Sequence, residues 1–261
     1  MNNPNPPIPP LSKRHQPLFH SPQHRHQTAR AFDSGAELYD LVRPGYPADV
    51  VELMPAELTT VVDIGCGTGQ LASLLAARGH ELFLLDPSAD MVRVAAAKKL
   101  GPAWRATAEA TALKADSVDA ACCGQSWHWC DSQVACLELD RIIRPGGSVL
   151  LAWNTLDVSI PWVHRLSRIM HAGDVLAEGF IPSIHKPWQI SRTVRKRWVT
   201  PITPEDIHLL THTRSYWLRA NQRSRQRVTA NLDWYLYEHL GYAKGQVIDL
   251  PYRVDAFLLS R

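Results

Sequence analysis

The sequence predicts a doubly wound α/β fold with a mostly parallel seven-stranded sheet, and three observations carry that prediction. From residue 60 onward, segments of strand character alternate with segments of helical period. The first strand, with Val61, Val62 and Ile64, has no polar outer face, as in a sheet covered on both sides. It runs directly into three alternate glycines, Gly65, Gly67 and Gly69, after which Leu71, Leu74 and Leu75 fall at helical spacing.

The elements follow in order. Strands are expected at 60–64, 81–85, 103–106, 118–124 and 148–153, with helices ending near 78 and spanning 88–99 and 131–143. Arg144, Pro145, Gly146 and Gly147 read as a turn before the fifth strand. A helix is expected near 162–171, a strand at 193–199, helices at 204–210 and 222–240, and a closing strand at 246–259. Ahead of the sheet, residues 28–54 have helical period broken at Arg43-Pro44-Gly45-Tyr46-Pro47, where two prolines and a glycine force a turn. Residues 1–29 are rich in Pro, His, Asn and Gln without apolar period and read as a flexible polar arm. His15, His20, His24 and His26 lie on that arm without carboxylates or cysteines, so no metal site is assigned to them.

Composition narrows the function. A chain of 261 residues, 45% hydrophobic and 20% charged, suits one sizeable α/β domain with embellishments. Its formal net charge of +3 does not compel a nucleic-acid partner. The five cysteines, Cys66, Cys122, Cys123, Cys130 and Cys136, show no C-x-x-C pair, which argues against a zinc site or a disulfide framework and for a reducing compartment. No apolar run reaches membrane-spanning length and no signal peptide is evident, so a cytoplasmic location is expected.

The glycine turn is the feature that carries chemistry. Glycines at a strand-to-helix junction let a ligand approach main-chain N–H groups. The dinucleotide pattern G-x-G-x-x-G would place its last glycine at position 70, which is Gln70, and Asp63 stands two residues ahead of Gly65. An acidic entrance suits a cationic, phosphate-free ligand better than a pyrophosphate. The second strand ends at Asp86, followed by Pro87, Ser88 and a helix carrying Met91. Asp86 can cap that helix or accept both hydroxyls of a ribose, and the upstream glycines favour the ribose. Ala108 and Glu109, after the third strand, are placed to meet an adenine edge, with an exposed loop as the alternative. Gln125 leaves the carboxyl end of the fourth strand, where a doubly wound sheet faces its ligand.

These residues resemble motif I and the acidic second strand of the class I S-adenosylmethionine (SAM) dependent methyltransferases. RPGYP at 43–47, His128-Trp129, RPGGSVLLAW at 144–153 and LPYRVDAF at 250–257 resemble the small-molecule subgroup that includes the trans-aconitate methyltransferase-like proteins. The resemblance covers residues 29–261. It implies a Rossmann-like methyltransferase domain over 30–261, N-terminal lid helices at 30–55 and a cap insertion at 155–190. It implies SAM as cofactor, held by Asp63, Gly65, Cys66, Gly67, Asp86, Pro87, Met91, Ala108, Glu109 and Gln125. Tyr39 and Arg43 would close over its methionine end, or else serve packing and a surface ion pair.

The expected reaction is methyl transfer to a small-molecule acceptor, with a carboxylate or hydroxyl oxygen favoured. His128, between Trp127 and Trp129, is the candidate general base, and it can equally orient an acidic substrate or complete an aromatic wall. The [N/D]-P-P-[Y/F] tetrapeptide of DNA amino-methyltransferases is absent after the fourth strand, which argues against DNA. Two alternatives stand beside this reading. One is a SAM-binding regulator without transferase activity, and the other is an RNA or protein methyltransferase using the basic segments at 192–197 and 219–227.

Overall fold

The computed structural model describes residues 10–11, 13–14, 32–173 and 175–261. Most of the expected arm, with His15, His20, His24 and His26, lies outside the described residues. Two compact units are present, one of Phe19–Asn154, Ser183–Trp198 and Val254–Arg261 and the other of Met1–Leu18, Thr155–Pro182 and Val199–Arg253.

A seven-stranded sheet organises the chain, in the order β3-β2-β1-β4-β5-β7-β6. Its strands are β1 Thr60–Ile64, β2 Glu81–Asp86, β3 Ala103–Arg105, β4 Val118–Gly124, β5 Ile143–Leu156, β6 Gln189–Ile202 and β7 Ile248–Ser260. The pairs β1 with β2, β1 with β4, β2 with β3 and β4 with β5 are parallel. β7 runs against β5: the Asp157 N–H bonds Pro251 O, the Thr155 hydroxyl bonds Arg253 O, and Arg261 reaches Ile143 O. The sheet is therefore mixed, and the doubly wound class is as the alternation predicts.

The central strand is the most buried part of the fold. Val61, Val62 and Ile64 are at most 1% exposed, because helices cover both faces. The first unit carries α1 Ala36–Val42, α2 Ala48–Val51, α3 Gln70–Ala76, α4 Ala89–Ala97 and α5 Ser132–Ile142. Leu71, Ala72 and Leu75 of α3, and Ala135, Cys136, Leu139 and Ile142 of α5, turn one stripe each into the core. Ser88 caps α4 by accepting the Met91 N–H, and Asp131 caps α5 by accepting those of Gln133 and Val134. The other unit carries α6 Pro161–Ile169, α7 Pro204–His212, α8 Ser215–Arg219 and α9 Gln222–Asp233.

Three local readings differ from the structure. Residues 144–147 are not a turn before a strand. β5 starts at Ile143 and bulges there, since Val118 pairs with Ile143 while Ala120 pairs with Ser148. The bulge is pinned by Arg144, which bonds the Asp119 carboxylate at 2.6 Å and the carbonyls of Asp116 and Ser117. Gly147 is required there because a Cβ would stand 2.2 Å from Asp119 O. The expected 222–240 helix is α-helical only to Asp233, and a π-helical turn follows over Trp234–His239. The wider turn brings Tyr235 and Leu236 inward together, and the Tyr235 hydroxyl donates to Trp162 O at 2.8 Å. α8 was not expected, since it buries no residue and so has no apolar period to read.

Candidate active site

After β1 the chain crosses to β2 on one side, and only after β3 does it return to β4 on the other. The carboxyl ends of β1 and β4 therefore form the topological switch point, where a doubly wound sheet opens its ligand crevice. The glycine turn lies there. Gly65, Gly67 and Gly69 have φ of 65°, 54° and 82°, in the left-handed region that favours glycine. Gly65 is doubly constrained, because an added Cβ would also stand 2.5 Å from Ser126 Cβ. The Gly65 and Cys66 N–H groups donate to Leu85 O at 2.8 and 3.0 Å, which folds the turn over the end of β2.

Asp86 completes that junction. Its carboxylate accepts the Gly67 N–H at 3.0 Å and the Ser88 N–H at 2.8 Å, so one side chain fixes both the glycine turn and the entry to α4. It is 9% exposed, and burial raises its pKa above the ordinary value although both N–H bonds oppose the rise. Asp63 is buried more deeply, at 1% exposure, with its carboxyl beside the Cys122 thiol. Neither Asp63 oxygen has a hydrogen-bond partner of normal geometry. Burial pushes its pKa up to about 7, Asp86 adds to the rise, and Cys122 moderates it. Tyr46 closes the same place, for a Cβ on Gly124 would meet its hydroxyl oxygen at 2.8 Å. Burial, with Tyr39, Asp63 and Cys122 nearby, lifts the Tyr46 pKa well above the ordinary phenol value.

The remaining expected residues fall into groups. Tyr39 packs on the cluster of Ala36, Met91 and Val94, and the Arg43 guanidinium lies 4.8 Å above its ring. Cys66 is buried, its thiol donating to Gly67 O at 3.4 Å, and Pro87 O accepts from Arg105 Nε at 3.1 Å. Gln125 follows β4 with a φ of 56°, and its buried Oε1 has no hydrogen-bond partner. Ala108 is buried, and Glu109 accepts the Asp131 N–H at 2.7 Å, tying the segment after β3 to the start of α5. His128 is half-buried, tilted against Trp129 with ring centroids 4.8 Å apart. Phe32 meets the rings of Trp129 and Tyr39 edge-on at 6.1 and 6.2 Å, so these four aromatic side chains form one wall.

The wall depends on how the first helix is seated. Ser88 Oγ donates to Phe32 O, the Ala36 N–H to Asp90, and Gln70 Nε2 to the Asp40 carbonyl and carboxylate, while Lys98 pairs with Asp40 at 2.6 Å. Asp40→Ala should therefore lose roughly 1 kcal/mol of stability. Amide exchange should rise over residues 36–42 and little elsewhere; uniform exchange would mean that Asp40 does not seat the helix.

Four contributors were not singled out from the sequence as site residues: Tyr46, Ser126, Asn154 and Asp40. Ser126 Oγ donates to Ile64 O at 2.7 Å and caps the end of β1. Asn154 is a polar residue at the carboxyl end of the apolar run Leu150-Leu151-Ala152-Trp153, and that break in pattern is a readable signal. Among the described residues, no group of three or more His, Cys, Asp or Glu side chains could hold a metal ion. No helix there is long and apolar enough to cross a membrane.

The fold is a doubly wound sheet whose switch point carries a glycine turn and two buried acids, and comparison with known proteins gives its class. A model described as a methyltransferase domain matches residues 62–151. An uncharacterized methyltransferase of Mycobacterium tuberculosis is 32% identical over 231 residues, covering 87% of this chain and 94% of the relative. A malonyl-[acyl-carrier protein] O-methyltransferase of Pseudescherichia vulneris is 30% identical over 185 residues, covering 68% of this chain and 69% of the relative. Among solved structures, a candidate type II methyltransferase from Anaeromyxobacter dehalogenans superposes with a TM-score of 0.56 at 24% identity, covering 83% of this chain and 97% of the other. The chain belongs to the methyltransferases, and its fold is that of class I.

Proposed function

We propose that this methyltransferase uses SAM as donor and methylates an oxygen of a small molecule, a carboxylate or a hydroxyl. The observation that carries the donor reading is the set of buried acceptor oxygens at the switch point. Asp63 and Gln125 offer buried acceptor oxygens that no donor in normal geometry satisfies. Such atoms fit a cationic ligand rich in N–H groups and repel a pyrophosphate. SAM supplies an electrophilic methyl group on a sulfonium together with an α-ammonium.

In this reading Asp63 and Gln125 take the ammonium, Arg43 the carboxylate and Asp86 the ribose hydroxyls. Gly65, Cys66 and Gly67 line the approach, Pro87 and Met91 pack beside the ribose and base, and Ala108 and Glu109 meet the adenine. The wall of Phe32, Tyr39, His128 and Trp129 excludes water and aligns the acceptor, which is the main task in an in-line displacement. A carboxylate acceptor is already ionised at neutral pH and needs no base. A hydroxyl needs one, and His128 is the group assigned to it. Loss of charge between an anionic acceptor and the sulfonium is favoured in a low-dielectric pocket. The malonyl-[acyl-carrier protein] O-methyltransferase relative is named for an oxygen acceptor, which supports the preference for oxygen.

Incubation with methyl-labelled SAM and cell extract tests the proposal. Label should enter the small-molecule fraction, and alkali should release it as methanol if the acceptor is a carboxylate. Label in the RNA or protein fraction would overturn the acceptor class, and absence of SAM binding in calorimetry would overturn the donor.

A further inference from the structure

We infer that Asn154 is a positioning residue for the donor site, clamping the Arg43–Pro47 segment and the Gln125 side chain to the sheet at once. The inference rests on the SAM reading above. Asn154 is 6% exposed and every polar part of it beyond its own strand pairing is engaged with a different element. Its Nδ2 donates to Gly45 O at 2.9 Å, its Oδ1 accepts the Trp198 Nε1–H at 3.0 Å, and its main-chain carbonyl accepts from Gln125 Nε2.

The direction of each bond matters. The indole N–H can only donate, so it fixes which end of the Asn154 amide is oxygen, and the NH2 is left facing the Gly45 carbonyl. Gly45 lies between Arg43 and Tyr46, so its anchorage sets where those two side chains stand. On the other side, the bond to the Asn154 carbonyl consumes a Gln125 Nε2 proton and leaves Oε1 as that amide's buried, unpartnered acceptor. Gln125 is held at a positive φ by its own N–H bond to Ala152 O at 2.9 Å, so its side chain has little freedom to compensate. Asn154 makes no proposed contact with the donor. It acts through Arg43, Tyr46 and Gln125.

Three variants and two readouts test this. In the ligand-free protein, Asn154→Ala should speed amide exchange in the peptide spanning residues 38–50 at least about fivefold, leaving β1 and β4 protected. Its Kd for SAM, measured by calorimetry, should rise about tenfold. Asn154→Asp keeps the acceptor for Trp198 and the backbone bond to Gln125 but sets a carboxylate against the Gly45 carbonyl. Its affinity, taken as a ratio to wild type at each pH, should be poor at pH 8 and recover toward pH 5 as the introduced acid gains a proton to donate. If Asn154→Ala does not fold, Asn154→Asp and Trp198→Phe carry the test, the latter with a smaller loss because the amide is freed to flip. Unchanged exchange over 38–50 in these variants overturns the clamp, as does a pH-independent Asn154→Asp ratio near one. Failure of the wild-type protein to bind SAM, with exchange still altered, would instead strike the donor reading.

Discussion

Asp86→Ala is expected to weaken SAM binding by at least about a hundredfold, close to 3 kcal/mol, while changing unfolding free energy much less. The carboxylate holds the Gly67 and Ser88 N–H groups, and charge-assisted bonds of this kind contribute about 1.5–3 kcal/mol each. Burial nevertheless outweighs them, because the pKa of Asp86 is raised and not lowered. The ionised side chain therefore carries a net cost of burial in the fold. Removing it exposes two N–H groups, which water entering the vacated volume can satisfy, and relieves the burial of a charge. These effects oppose each other in stability. They add in binding, where both the shape of the glycine turn and the proposed acceptor for the ribose hydroxyls disappear. Asp86→Asn, with one acceptor oxygen and one misplaced NH2, should fall between. Calorimetry with SAM alongside urea unfolding separates the two quantities. An Asp86→Ala variant that folds and binds with wild-type affinity would remove Asp86 from the donor site.

The same distinction explains what could be read in the sequence. The strand positions and the doubly wound class were legible because burial on both faces erases polar alternation, as in Val61, Val62 and Ile64, and because strands alternate with helical segments along most of the sheet. The glycine turn was legible because the left-handed φ at all three positions favours glycine. Asp63 and Asp86 stood out as charges at the ends of apolar strands. Their division of labour did not: Asp86 accepts two backbone N–H groups, whereas Asp63 has only the Cys122 thiol and the Ala72 N–H beside it, outside normal hydrogen-bond geometry, and sequence spacing does not encode that. The bulge at 144–147 was misread as a turn because Pro-Gly-Gly has the same composition in both settings. Only the pairing of Val118 with Ile143 distinguishes them. Asn154 escaped because its importance lies in partners 109 and 44 residues away, Gly45 and Trp198.

Asp63→Asn should make the ligand-free protein more stable at pH 8 and a poorer binder of SAM. The sign follows from linkage. Burial and the neighbouring Asp86 raise the folded-state pKa to about 7, against about 3.9 for an unfolded aspartate. The folded state therefore holds this proton more tightly, and the contribution of Asp63 to stability declines as pH rises from about 4 to about 7. Above pH 7 the full cost is present, at most about 4 kcal/mol at 1.36 kcal/mol per unit. Below pH 4 it is absent. An uncharged isostere escapes the cost, so the variant should gain roughly 2–4 kcal/mol at pH 8 and differ little from wild type at pH 4. Binding should move the other way. Pairing with an ammonium requires the carboxylate, so wild-type affinity should drop about tenfold per unit below pH 7, and binding near neutrality should release a proton, detectable as a calorimetric heat that depends on the buffer. Asp63→Asn should flatten both dependences. A variant less stable than wild type at pH 8, or one whose SAM affinity keeps the wild-type pH profile, would show that this acid is bound into the fold and not reserved for a cation.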